Sequence, residues 1–190
     1  MNIKRSALLL PLLVLSALAA PNEPDWKIVT TKYSTPDILV AGYNVLDFGA
    51  KGDGKKDCTK AFQAALDKMR ESGGGTVFVP EGKYLFKGSL KVPVSVTLRG
   101  EWREPTKEDP FARGTILMPL AGRGDADGTP FITVDYCAGV KDLNIWYPLQ
   151  SHQKPEAYPW CLIQKGGDNA TFENLTLVNP YQGIRIGPGG

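Results

Sequence analysis

The residues best equipped for chemistry fall into three groups along the chain. Two carboxylate pairs, Asp53/Asp57 and Asp125/Asp127, could act as acid and base or hold a hard cation. Neither pair has the spacing of a calcium loop. Asp53 and Asp57 flank glycine turns before an apolar-periodic segment, which fits turn and helix N-cap duty; Asp57 is the expected N-cap. Asp125 and Asp127 lie in G-R-G-D-A-D-G, a solvated turn by composition. Arg99, Lys141 and Arg185 lie on or beside strand-like runs, where they either face a cleft or simply coat a strand surface. The aromatics cluster in W-Y-P-L-Q-S-H-Q-K-P-E-A-Y-P-W: Trp146, Tyr147, Tyr158 and Trp160 could stack on sugar rings or pack a loop onto the body. His152 sits in the same loop and is the sole histidine, so no zinc-type set is available.

These groups must be carried by short strands. The stretch Tyr43–Gly82 reads as a strand (Val45–Phe48), a glycine turn, one amphipathic helix (Asp57–Ser72), a second glycine turn and a strand. Phe62, Ala65, Leu66 and Met69 recur at i, i+3, i+4 and i+7, giving the helix one apolar face. Gly73-Gly74-Gly75 ends it. From there the period becomes strand-like: Thr76–Val79, Tyr84–Phe86, Val94–Leu98, Thr115–Met118, Phe131–Val134, Val140–Ile145, Phe172–Val178 and Ile184–Ile186. Residues 130–148 and 162–180 superpose at an offset of 32, matching Val140, Leu143 and Ile145 with Phe172, Leu175 and Leu177, with Leu149–Trp160 as an insert. A weak repeat with inserts describes a strand solenoid. The helix is expected to plug its first coil, where apolar side chains and strand edges would otherwise face water.

Bulk features agree. The chain has 190 residues, with 22 basic and 20 acidic side chains. Lys4, Arg5, an apolar run from Ala7 to Leu18 and Ala17-Leu18-Ala19-Ala20 read as a secretory signal cleaved after Ala19. Its removal leaves 20 basic against 20 acidic residues, which excludes a nucleic-acid binder that relies on a basic face. The expected location is secreted or periplasmic, with no membrane association after signal removal and a monomeric state. Residues 20–41 read as an extended arm and 42–190 as the coils. Cys58, Cys137 and Cys161 are too few for a disulfide scaffold; Cys58 is expected to be buried, and Cys137 could pair with Cys161 only if their coils stack. Asn169 and Asn174 fit glycosylation acceptors, but turn and ladder positions are the preferred reading.

The runs N-V-L-D-F-G-A-K-G-D-G-K-K-D-C-T-K-A-F-Q-A-A, G-G-G-T-V-F-V-P-E-G-K-Y-L-F and V-S-V-T-L-R-G-E resemble the N-terminal part of the pectate lyase-like superfamily. Within it they are closer to the branch of polygalacturonase- and rhamnogalacturonase-related glycosidases. The resemblance covers about residues 43–186. It implies an all-β, right-handed parallel β-helix with an N-terminal capping α-helix, incomplete at its C-terminus, and an exported enzyme acting on pectin-like glycans. Hydrolysis is the first expectation. A calcium-dependent polysaccharide lyase and a non-catalytic glycan-binding β-helix (an adhesin or fibre module) are the alternatives. The N-T-D and D-D motifs of the glycosidase members are missing, so catalytic residues are unassigned and expected beyond residue 190. The expected substrate-binding set is Trp146, Tyr147, Tyr158, Trp160 and Arg185. No cofactor is expected, save calcium under the lyase alternative.

Overall fold

The computed structural model describes residues 24–35, 37–106, 111, 113–167 and 169–187. The expected signal segment, 1–19, lies outside them. The chain opens with an antiparallel pair, β1 (Lys27–Ile28) and β2 (Val40–Ala41), followed by β3 (Tyr43–Asn44), β4 (Asp53–Asp57) and helix α1 (Thr59–Glu71). Then come β5 (Gly75–Phe78), β6 (Gly82–Phe86), β7 (Leu90–Val92), β8 (Val96–Arg99), β9 (Thr115–Pro119) and β10 (Ile132–Val134). The last strands are β11 (Gly139–Trp146), β12 (Trp160–Gln164), β13 (Thr171–Val178) and β14 (Gln182–Arg185).

Apart from β1–β2, every pairing is parallel, and from β5 onward each circuit of the chain lays a strand segment on each of three sides. Side A stacks β3, β5, β8 and the first halves of β11 and β13. Side B stacks β4, β6, β9 and the second halves of the same two long strands. Side C stacks β7, β10, β12 and β14. This is a parallel β-helix, and the right-handed sense is the one parallel crossovers adopt. Side chains alternate, so each strand sends one column inward. The inward columns are Val77–Leu98–Val140–Phe172 on side A, Tyr84–Leu117–Ile145–Leu177 on side B and Leu90–Ile132–Leu162–Ile184 on side C.

Helix α1 covers the start of this stack. Phe62, Ala65, Leu66 and Met69 are fully buried. Phe62 meets Tyr84 and Phe86 edge-on, with ring centroids 5.2 and 4.9 Å apart. Burying Phe62, Leu66 and Met69 contributes about 1.5–3 kcal/mol each. The helix ends where Gly74, at φ +101°, donates to the Met69 carbonyl; a Cβ there would lie 2.5 Å from the Ser95 carbonyl oxygen.

Local details differ from the sequence reading. Val45–Phe48 is a 3₁₀ turn, not a strand, because the Asn44 side chain accepts from the Leu46 N–H and Gly49 closes the turn at φ +88°. Cys58 is the N-cap residue. Asp57 belongs to β4, opposite Leu85, and its carboxylate accepts from the Thr59 N–H at 3.0 Å. The three cysteines are free: Cys58 and Cys161 are buried and Cys137 is exposed.

Candidate functional site

Irregular segments leave the stack at two corners. Two of them, 120–130 between β9 and β10 and 147–159 between β11 and β12, rise from the same B–C corner one coil apart. They are fastened together. The Arg123 guanidinium forks onto the Glu156 carboxylate, the Gly124 N–H donates to the Ala157 carbonyl at 2.8 Å, and the Gln182 amide donates to the Ala126 and Tyr158 carbonyls at 2.7 and 3.1 Å. Hydrogen bonds from Arg123 hold Glu156 below the usual carboxylate range. The result is a wall beside side C.

The outward column of side C runs Lys91, Thr133, Ile163, Arg185 in register. Strand spacing puts successive members about 4.8 Å apart. At its upper end lies a cleft of about 360 Å³ lined by Gln63, Ser89, Lys91, Thr133, Asp135 and Lys165 among others. Gln63 of α1 is held there, donating to the Lys91 carbonyl and accepting from its N–H. Lys91 pairs with Asp135 at 3.0 Å. Lys165 and Arg185 are exposed, and neither forms an ion pair with another described residue. A flat strip with free cations and one fixed carboxylate can bind a chain of carboxylates through charge-assisted hydrogen bonds. Among the described residues no three His, Cys, Asp or Glu side chains converge.

The expected binding residues are divided by the fold. Arg185 is on side C, and Trp160 opens β12 there, opposite Gln182 and half-buried. Trp146 faces outward on side B, packed with Leu85, Ile116 and Met118, and lies flat on Phe111 with centroids 3.8 Å apart. Tyr147 and Tyr158 are core residues, not sugar platforms: 1% and 0% exposed, they meet edge-on at 5.0 Å. The alternation that turns Trp146 out turns Tyr147 in, and the insert returns to the stack through Tyr158. Burial raises the pKa of both phenols.

Other candidates have structural partners. Asp53 accepts from the Lys55 and Lys56 N–H groups, and Asp125 from the Asp127 N–H, so both close turns. Arg99 and Lys141 lie on side A, paired with Asp37 and Asp142 and with Glu173 respectively. Asn169 and Asn174 take positive φ, and Asn174 donates to Asp142. His152 borders a cleft of about 200 Å³ with Gln150, Pro155, Asn179 and Tyr181. Lys91, Asp135 and Lys165 were missed by sequence reasoning. The signal for Lys91 was the alternation in Leu90-Lys91-Val92.

Residues 42–127 match the family described as rhamnogalacturonase A/epimerase, pectate lyase-like. Alginate lyase 7 of Azotobacter vinelandii is 61% identical over 46 residues, 24% of this chain and 5% of that protein. Plasmin and fibronectin-binding protein A of Streptococcus pneumoniae is 28% identical over 157 residues, 75% of this chain and 21% of that protein. Among solved structures, the A-module of the mannuronan C-5 epimerase AlgE4 from A. vinelandii has a TM-score of 0.58 at 24% identity, covering 77% of this chain and 41% of the module. The chain thus spans well under two thirds of each of these three proteins.

Proposed function

We propose that this chain, which belongs to the pectate lyase-like superfamily, is exported and acts on a uronate-containing polysaccharide held along side C. The observation that carries this reading is the outward column ending in Arg185, bounded by the clasped wall of the two inserts. Lys165 and Arg185 have free donors for sugar carboxylates, and half-buried Trp160 supplies an aromatic surface at the start of β12. The names of alginate lyase 7 and the mannuronan epimerase support a polyuronate as the substrate class.

Hydrolysis is the first reaction assigned, following the glycosidase-like cap. It requires two carboxyl groups facing each other across the bond, about 5–10 Å apart. Elimination is the second, supported by the lyase name. A reducing-end assay on a panel of polygalacturonate, alginate and neutral glucan, read beside the ultraviolet absorbance of unsaturated product, separates them. New reducing ends without absorbance establish hydrolysis, and both together establish elimination. Binding without either product leaves a glycan-binding role for this stretch, the reading that the likeness to the plasmin- and fibronectin-binding protein supports. Failure of all three on every acidic polymer removes the proposal.

A further inference from the structure

On side A a guanidinium fork is occupied by a carboxylate of the chain itself. Its outward column runs Phe78, Arg99, Lys141, Glu173 in register. The arm crosses the first two positions. Leu39 and Ala41 cover Phe78. Beside them, Arg99 Nη1 and Nη2 donate to the two oxygens of Asp37 at 2.9 and 2.5 Å, the fork-to-carboxylate geometry that also recognises a carboxylate ligand. The fork is preorganised without the arm: Asp142 takes the Arg99 Nε–H at 2.8 Å, and Asn174 fixes Asp142 from the next coil at 2.9 Å. The Arg99 side chain is 10% exposed, whereas Asp37 is 48% exposed, so the guanidinium belongs to the body and the carboxylate to the surface.

The adjoining cleft, about 250 Å³, is lined by Tyr33, Arg99, Trp102, Arg103, Asp142 and Asn174 among others. It holds a second guanidinium, Arg103, stacked 4.0 Å from the Tyr33 ring centroid, with a buried Nε that has no hydrogen-bond partner among the described residues. Over this cleft the arm is held at Lys32, Tyr33 and Ser34 by ion-pair and hydrogen-bond contacts to Glu81, Glu101 and Arg103 and by the Tyr33–Arg103 stacking. Its apolar contacts lie to either side of that stretch: Val29, Leu39 and Ala41 around Phe78, and Pro24 and Trp26 beside Gly42 and Gly75. A polar contact that is renewed in water on release holds weakly.

We propose that the arm is a displaceable strap, and that Asp37 stands in for the carboxylate of an acidic saccharide which binds Arg99, Arg103 and the flanking Trp102 once the strap lifts. The identity of the ligand class rests on the function proposed above; the site itself does not. With the strap lifted, Lys141 lies one coil beyond Arg99 in the same column, placed to meet the next charge along the polymer.

The test uses the full chain with Asp37→Asn, which removes the charge and keeps the shape, and oligogalacturonate as probe, with a neutral cello-oligosaccharide as control. Calorimetric titration is expected to give about tenfold tighter oligogalacturonate binding in Asp37→Asn than in the unaltered chain, the value of one charged hydrogen-bonded pair. The neutral sugar is unaffected, Arg99→Gln added to Asp37→Asn erases the gain, and trypsin cleavage after Lys32 accelerates. Unchanged affinity in Asp37→Asn, whether or not cleavage accelerates, overturns the proposal, as does a gain that survives Arg99→Gln. Arg185→Gln is titrated alongside. Its failure to weaken binding counts against side C alone, so the two sites are judged separately.

Discussion

Asn174 lies on Asp142 one coil apart: its amide donates to the Asp142 carboxylate at 2.9 Å, and both residues hold positive φ, 49° and 57°. They are the corner at which β13 and β11 leave side A for side B without breaking the strand. Each residue is passed over in the pairing, since Lys141 matches Glu173 and Leu143 matches Leu175. The left-handed conformation costs a β-branched side chain about 1–2 kcal/mol. Asn174→Val is therefore expected to lower unfolding free energy by about that amount plus the lost hydrogen bond, and Asn174→Gly by less. Thermal unfolding of the two variants checks the order; equal losses would remove the corner argument.

The plug at the start of the stack makes a larger claim. Phe62→Ala empties a fully buried site between Tyr84 and Phe86. The expected cost is about 3–5 kcal/mol in urea unfolding. Lys60→Ala, on the exposed side of the same helix, is expected to stay within about 0.5 kcal/mol of the unaltered chain. A small loss in the first variant would mean that the helix is not needed to close the coil.

Tyr158 tests the division between core and surface aromatics. Its hydroxyl is buried without a hydrogen-bond partner among the described residues. Removing an unpaired buried hydroxyl relieves a desolvation cost of about 1 kcal/mol or more. Tyr158→Phe is expected to be at least as stable as the unaltered chain in a melting measurement, and to bind glycans unchanged. Weakened binding would return Tyr158 to the surface set.

The arm should release in acid. Hydrogen bonds from Arg99 hold Asp37 below the usual carboxylate range. Glu81 also lies low: burial pushes it up, but Lys32 and the Tyr33 hydroxyl outweigh that. Glu101, Asp142, Arg103 and Lys141 complete the charged surroundings. Folded values below the unfolded ones mean that the stabilisation is complete above the free-carboxylate range near pH ~4 and is lost as pH falls through the lower folded values. Hydrogen exchange is expected to show arm amides such as Val29 and Lys32 protected at neutral pH and opening in that acid window, with Val77 and Ile145 still closed. Protection that persists through the window would contradict the latch.

How much of this was legible beforehand depended on strand length. The offset of 32 matched Val140, Leu143 and Ile145 to Phe172, Leu175 and Leu177, and these are register partners in β11 and β13. Eight-residue strands show their alternation. Side C is built from strands of three to five residues. Such runs carry few alternations: Phe131–Val134 was read as a strand, but Leu90–Val92 went unseen, and Trp160–Gln164 was not read as a strand, its first residue being assigned to the insert. The site was obscured for the same reason: Lys91 becomes part of a column only once β7 exists. Tyr147 and Tyr158 misled because composition shows that an aromatic is present but not which way the pleat turns it.

The most direct test of side C is a tryptophan-fluorescence titration of the chain with oligogalacturonate and with a neutral cello-oligosaccharide, repeated on Arg185→Gln and Trp160→Ala. Saturable quenching by the acidic oligomer alone is expected, weakened about tenfold by Arg185→Gln and diminished in amplitude by Trp160→Ala. Equal response to the neutral sugar, or acidic-sugar binding untouched by both substitutions, would contradict the side C site.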